Sequence, residues 1–262
     1  MNAFIKPLGL ALALSLGAGW AAAQTLTVGA YAANPPWEVK TPEGTFEGFE
    51  IDLVNEIGKR IGAEVVFEDM GFQALFAATS SKRIDAAISS ITITDERLQS
   101  QSFTQAYYDA DLALATNKDS GIGGLADMEG KVVAVLSSST GDIWAKANQA
   151  TYGFAEVKGY NNQQDMILDT QLGRADGAVS DITGLEFSFR NMPQMTVVDR
   201  IPSGDKYAIM MTKDHPMLGE VSDAISAIKE DGTMTAFYAK WFGEASEPGP
   251  ATTTVLGLPP YN

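Results

Sequence analysis

Apolar residues recur along this chain in two alternating rhythms. Leu53, Val54, Ile57 and Ile61 repeat at helical spacing and predict a helix over residues 51–61, stopped by Gly62. On either side, residues 26–28 and 64–67 are short β-prone runs, the first broken by Asn34-Pro35-Pro36. Residues 72–78 predict a short helix, and residues 86–91 form a continuous apolar run that fits a strand buried on both faces. A second series follows. Residues 131–136, KVVAVL, predict another buried strand, ending in Ser137-Ser138-Ser139-Thr140-Gly141, and helix then strand recur over residues 163–179. Residues 207–211 predict a strand, Leu218, Val221, Ile225 and Ile228 mark a helix, and residues 234–242 form the last one. The Pro/Gly-rich stretch from Glu247 is expected to be extended. Alternating strands and helices of this kind predict an α/β architecture.

The first 23 residues depart from both rhythms. Lys6, an apolar run from Leu8 to Leu16 and Ala21-Ala22-Ala23 have the form of a secretory signal, so the mature chain is expected to begin at Gln24. Removing Lys6, the only charge in that segment, takes the net charge from −15 to −16. No later stretch has the ~18 consecutive apolar residues of a spanning helix, and there is no cysteine for disulfides or lipid attachment. A diffusible periplasmic protein is the expectation, long enough for two lobes with their own cores. The acidic balance argues against nucleic acid and anionic membranes as partners. With no cysteine and one histidine, His215, expected in a surface loop, zinc sites of the usual type have no ligand set. A histidine-based catalytic triad would need His215, and no G-x-S-x-G elbow accompanies it.

Candidate chemistry concentrates in residues 82–97, KRIDAAISSITITDER. Ser89, Ser90 and Thr92 follow the carboxyl end of the buried strand, where open α/β sheets bind ligands. Thr94 is placed to cap a new helix, with Asp95 and Glu96 favoured by its dipole. Arg97 is a cation in a first turn, which the dipole disfavours. It is compensated either by Asp95 and Glu96 or by an anionic ligand in the guanidinium fork. Residues 83–90, RIDAAISS, also align without gaps on residues 174–181, RADGAVSD. Two similar lobes would bring Ser90 and Asp181 to opposite walls of one cleft, with a cap for a helix starting at Ile182 as the lesser reading of Asp181.

These segments resemble the family 3 extracellular solute-binding proteins, the polar amino-acid receptors of bacterial ABC importers. The resemblance spans essentially the whole mature chain. It rests on the order of GFEIDL (48–53), RIDAAISSITITDER, Ser102-Phe103-Thr104 with Tyr107-Tyr108, Gly130-Lys131-Val132, residues 173–181, and Asp231-Gly232-Thr233 ahead of YAKWF (238–242). It implies a type II periplasmic-binding-protein fold of two discontinuous lobes, 24–110 with 204–262 and 111–203, the second inserted in the first. The crossings are expected near residues 109–112 and 200–204.

Carried over, the family pattern makes Arg97 the clamp for a ligand α-carboxylate, with Thr92 and Thr140, and gives the α-ammonium to Ser90 and Asp181. Phe72 falls where the family places a wall against the ligand side chain, though packing with Leu75 and Phe76 explains it equally. Two positions depart from the pattern. Asn34 stands where an aromatic ring usually stacks, leaving Tyr31 or Trp37 to supply one, and Ser138 stands where glycine is frequent. Glu38, expected near the cleft mouth beside Trp37, hints at a cationic ligand side chain, while Tyr107, Tyr108, Trp241 and Phe242 suit packing.

The implied function is a monomeric receptor without a cofactor. It closes around an amino acid or derivative and delivers it to an inner-membrane ABC permease, with a chemosensory protein as a further possible partner. The alternative is a cyclohexadienyl dehydratase-like enzyme on the same scaffold, with Glu186 or Glu38 as its acid.

Overall fold

A computed structural model describes residues 24–243 and 247–261. The expected signal segment lies outside the described residues. The chain opens with β1 (Gln24–Ala30) and a small antiparallel sheet of β2 (Ala33–Asn34), β3 (Glu38–Lys40) and β4 (Phe46–Glu47), and then enters α1 (Phe49–Ile61). Helix α1 has Glu50 and Asp52 in its first turn and Lys59 and Arg60 in its last, matching its dipole, and Gly62 ends it in the left-handed region. Gly48 precedes it at φ 145°, and a Cβ there would meet the Trp37 carbonyl oxygen at 2.0 Å. That close approach seats β3 against the start of α1. Next come β5 (Ala63–Asp69), α2 (Phe72–Ser80), β6 (Ala86–Ile88), α3 (Asp95–Ser100) and β7 (Gln101–Phe103).

From there β8 (Tyr108–Asn117) carries the chain into a second sheet, built with β9 (Val132–Leu136), α4 (Thr140–Tyr152), β10 (Glu156–Tyr160), α5 (Gln163–Gln171), β11 (Gly177–Asp181) and α6 (Ile182–Phe189). The return is β12 (Met195–Tyr207), followed by β13 (Met210–Thr212), α7 (Leu218–Glu230), α8 (Thr233–Phe242) and α9 (Pro250–Thr253). The first sheet has the order β5-β1-β6-β13-β7 and the second β10-β9-β11-β8-β12. Strands β1, β5 and β6 are parallel, as are β9, β10 and β11, while β13 and β8 run antiparallel to their neighbours. The second sheet is therefore an insertion between β7 and β13 of the first, which gives the two-lobed α/β architecture. Strands β8 and β12 pair from Asn117↔Met195 to Tyr108↔Tyr207, with register shifts between Val197 and Asp199 and between Ile201 and Asp205.

Both sheets are covered on two faces, which explains the unbroken apolar runs. In the first, Val28, Ala86 and Ile88 pack toward α1 and α7 through Leu53, Ile57, Val221 and Ile225, while Ala87 faces Leu75 and Ile84. In the second, Val133, Val135 and Val179 face Ala145 of α4, and Ala134 and Ala178 face Met166 and Leu185.

Two expectations change. The strand predicted over residues 86–91 ends at Ile88, because β13 pairs with it only through Met210 and Met211. The tail is not extended throughout. It forms α9 and folds back, with Lys229 Nζ donating to the Thr254 carbonyl (3.0 Å) and the Ala106 N–H donating to the Tyr261 hydroxyl (2.7 Å). Among the described residues, no helix is long and apolar enough to cross a membrane.

Candidate functional site

The loops after β1, β6, β9 and β11 meet in a cavity of about 40 Å³ between the two sheets. At the ~10–15 Å³ a water needs, that is room for about three waters. Hydrogen bonds cross directly between the two halves around it. Gln163 N–H donates to the Tyr31 hydroxyl (2.9 Å), Gln164 Nε2 to the Ala33 carbonyl (2.7 Å) and Trp37 Nε1 to Asp181 Oδ2 (3.2 Å). The structure is thus closed.

Arg97 forms one end of the cavity. The Thr94 hydroxyl accepts the Arg97 N–H at 3.2 Å, capping α3 as its sequence predicts. The guanidinium, in a residue only 8% exposed, donates from one terminal nitrogen to the Thr92 carbonyl (2.7 Å) and from the other to the Ser138 carbonyl across the cleft (3.0 Å). Its plane lies over Phe76, 4.8 Å from the ring centroid, and Phe76 is held edge-on by Phe72. Neither Asp95 nor Glu96 pairs with it. Among the described residues no carboxylate lies within 4.0 Å. Burial lowers its pKa to about 10, so at neutral pH it remains a cation. A guanidinium buried in this way has the donors to hold an anion.

Asp181 forms the opposite wall and does two things at once. It caps α6, accepting from Gly184 N–H (2.7 Å) and Thr183 N–H (3.4 Å), and it lines the cavity. Desolvation raises its pKa to about 6, against the lowering effect of those donors and of Trp37. Gly141 allows this arrangement, since a Cβ there would stand 2.7 Å from the Val179 carbonyl, so α4 starts directly against β11. Thr140 comes to the same cavity on the first turn of that helix, whose Ser139 cap accepts the Asp142 N–H at 3.1 Å.

Ser90 sits in the left-handed region at φ 44°, with its N–H donating to Glu50 Oε1 (2.8 Å) and its hydroxyl accepting from Asn34 Nδ2 (3.0 Å). Behind this wall Glu38 and Glu50 face each other, both fully buried. Ser89 and Asn34 donate to Glu38, and Tyr107 donates to Glu50. One oxygen of each carboxyl has no other partner. Burial raises the pKa of both, and the neighbouring carboxyl raises Glu38 further, so the buried pair favours keeping a proton over carrying two charges.

Of the residues singled out from sequence, Arg97, Asp181, Ser90, Thr92, Thr140, Phe72, Tyr31 and Asn34 all line the cavity. Trp37 and Ser138 do not. Trp37 is fully buried in an aromatic cluster with Phe49, Tyr108, Tyr207 and Phe242, touching the site only through its indole N–H. Ser138, at φ 67°, contributes its carbonyl to Arg97 rather than a side chain. Glu38 is not at the cleft mouth but inside the carboxyl pair. Glu186 lies in a separate depression with Asp109 and Asp111. His215 is not a free surface residue: its ring packs 3.4 Å from Asp85 Oδ1 and accepts the Met217 N–H.

Gln163, Ser180, Ser139, Leu136, Leu112 and Tyr207 also line the cavity and were not anticipated. Ser139 and Ser180 adjoin predicted site residues and were legible by position. Gln163 carries no local sign in the sequence.

Residues 26–244 match the bacterial extracellular solute-binding proteins, family 3. An L-arginine-binding protein from Pseudomonas aeruginosa is 32% identical over 254 residues, covering 91% of this chain and 97% of that protein. The lysine/arginine/ornithine-binding periplasmic protein of Escherichia coli is also 32% identical, covering 92% and 97%. Among solved structures, an ancestral arginine-binding protein bound to arginine superposes with a TM-score of 0.78 at 33% identity, covering 84% of this chain and 98% of that one. These relatives are binding proteins, and they support a receptor rather than the dehydratase alternative. With two lobes closed over a polar cavity and a match over residues 26–244, the chain belongs to the family 3 bacterial extracellular solute-binding proteins.

Proposed function

We propose that this protein is a periplasmic receptor that closes around an amino acid or a close derivative and presents it to an inner-membrane ABC importer. The observation that carries this reading is Arg97, a buried cation without a carboxylate partner, facing Asp181 across a closed cavity. A zwitterion complements both ends at once. Its carboxylate fits the guanidinium fork, where hydrogen bonds to charged groups contribute roughly 1.5–3 kcal/mol each. Its ammonium fits between Asp181 and the Ser90 hydroxyl. A ligand that touches both lobes binds the closed form better than the open one and shifts the population toward closure.

Relatives named for arginine, lysine, ornithine and histidine support a polar or basic ligand. The charge near the cavity supports the same class, since Arg97, the one Lys or Arg lining it among the described residues, is accompanied by Asp181, Asp205 and the Glu38–Glu50 pair. We take the lobes to divide at 110/111 and 203/204, beside the register shift of β12, with residues 1–23 removed on export and the receptor acting as a monomer.

A thermal-shift screen of residues 24–262 against the amino acids, opines and betaine-like compounds tests the reading. A dibasic amino acid is expected to raise Tm most. Arg97→Ala is expected to abolish that rise while leaving the unliganded Tm within a few degrees. An unchanged rise in the variant would remove Arg97 from the site.

A further inference from the structure

Polar side chains around the cavity divide into those that find a protein partner and those that do not. At the Arg97 end, Thr92 Oγ1 and Thr140 Oγ1 lie 3.1 and 2.8 Å from Asp205 Oδ2. Asn34 and Gln163, from opposite lobes, are each only 6% exposed and both border the cavity. Asn34 Oδ1 and both polar atoms of the Gln163 side chain make no hydrogen bond among the described residues. A buried amide atom without a partner is costly, and the cavity is where a partner for these can be supplied.

Neighbours settle which way Asn34 points. Its Nδ2 donates to Glu38 Oε1 at 3.3 Å and to Ser90 Oγ at 3.0 Å, which uses both amide protons, and turning the amide over would set Oδ1 against the oxygen of a buried carboxyl. Asn34 therefore offers lone pairs and no proton. Gln163 is held opposite by two bonds across the cleft, its own N–H to the Tyr31 hydroxyl at 2.9 Å and the Gln164 amide to the Ala33 carbonyl at 2.7 Å. Its amide end reaches the Asp181 wall, since a Cβ on Gly184 would lie 3.5 Å from Gln163 Nε2 and 3.1 Å from Asp181 Oδ2. With no other bond to keep, that amide can present either atom.

We propose that Asn34 and Gln163 are specificity-determining residues that select a ligand whose side chain ends in an N–H donor: a carboxamide, a guanidinium or an ammonium. Asn34 Oδ1 accepts from that group, and Gln163 accepts from it or, for a carboxamide, donates to its oxygen. Because the two residues belong to different lobes, the full set of bonds forms only on closure. This rests on the amino-acid reading above and deepens it: Arg97 and Asp181 answer to the charges common to all amino acids, and the two amides answer to the side chain.

The test is isothermal titration of residues 24–262 with two ligand pairs, lysine against norleucine and glutamine against methionine, whose members share the amino-acid backbone, are close in length and differ in the donor. Wild type is expected to bind the donor-bearing member of at least one pair tighter by about tenfold or more, and Asn34→Leu and Gln163→Leu are each expected to shrink that ratio by about fivefold or more. A structural role would weaken both members by the same factor. Equal affinities within both pairs in the wild type, or an unchanged ratio in either variant, overturn the proposal. Where a leucine variant does not fold, Asn34→Ser and Gln163→Ala decide. If none of the four ligands binds, glycine and alanine are titrated: binding of either overturns this inference alone, and no binding of any of the six overturns the amino-acid reading with it.

Discussion

Residues 83–90 and 174–181 occupy the same place in the two lobes and end on opposite chemistry. In each, an aspartate closes the turn before the strand by a reciprocal pair of hydrogen bonds. Asp85 N–H donates to the Thr27 carbonyl at 2.9 Å while Thr27 N–H donates to Asp85 Oδ2 at 2.8 Å. Asp176 and Val132 repeat the pair with the same two distances. The strands that follow both run parallel to a neighbour, β6 to β1 and β11 to β9. Beyond that point they separate. Strand β11 has β8 beside it as far as Asp181↔Leu112, so it continues straight to an acid that caps α6. Strand β6 loses its neighbour, bends at Ser89, and places Ser90 in the left-handed region against Glu50. The shared aspartate thus fixes the turn in both lobes, and the one or two residues after the shared part ends set what each lobe presents to the cavity.

The comparison can be broken most severely at its ends. Arg97→Ala and Asp181→Ala are each expected to weaken ligand binding by a hundredfold or more, since each leaves an opposite ligand charge buried and unpaired. Asp181→Ser separates the two roles of Asp181. Serine is a good cap, so unfolding measurements should find stability close to wild type, while calorimetry finds binding nearly as weak as in the alanine variant. Equal binding by Asp181→Ser and wild type would reduce Asp181 to a cap.

Proton titration sharpens the same end. Asp181 is raised from its ordinary range to about 6 in the folded, closed protein. A carboxyl raised on folding holds its proton more tightly folded than unfolded, so its contribution to stability is present below pH ~4 and lost as pH rises through about 6. Only the ionised form pairs with an ammonium. The ligand-induced rise in Tm should therefore shrink as pH falls from 7 to 5, opposite to the trend of the empty protein, and parallel trends would contradict the assignment.

At the shared part, Asp85→Ala and Asp176→Ala are expected to cost similar amounts, about 1–3 kcal/mol each, by leaving one strand N–H without its acceptor. Chemical denaturation measures both, and a large inequality would make the sequence repeat superficial. The smallest effect belongs to Glu38→Gln. The amide can donate to Glu50 without needing a shared proton, so this variant should match or exceed wild-type stability by up to about 2 kcal/mol at pH 8. The gain should vanish near pH 4, where the wild-type pair is protonated. A loss at pH 8 would show that the pair is not held by a proton.

Much of this was legible in the chain. Thr94 capping α3, Gly62 ending α1 and the buried strands follow from local rules, and the repeat located Ser90 and Asp181 on facing walls before any coordinates. Arg97 declared itself by standing in an unfavourable first turn. The failures were all long-range. Glu38 read as a cleft-mouth residue because its partner Glu50 is separated from it by a turn, a strand and a helix start. Trp37 read as a ligand ring because nothing local shows that Phe49, Tyr108, Tyr207 and Phe242 enclose it. Asp205 was invisible for the same reason: its partners Thr92 and Thr140 stand 113 and 65 residues away.

The sequence by itself determined the alternation of strands and helices, their caps, the family resemblance and the identity of the charges at the two ends of the cleft. These depend on backbone preference and on spacing within a turn or two. Tertiary structure alone decided which way those charges are offset: the burial of Glu38 against Glu50, the hydroxyls turned toward Asp205, and the double duty of Asp181. Each depends on the desolvation and close approach of groups that only the closed, two-lobed fold brings together.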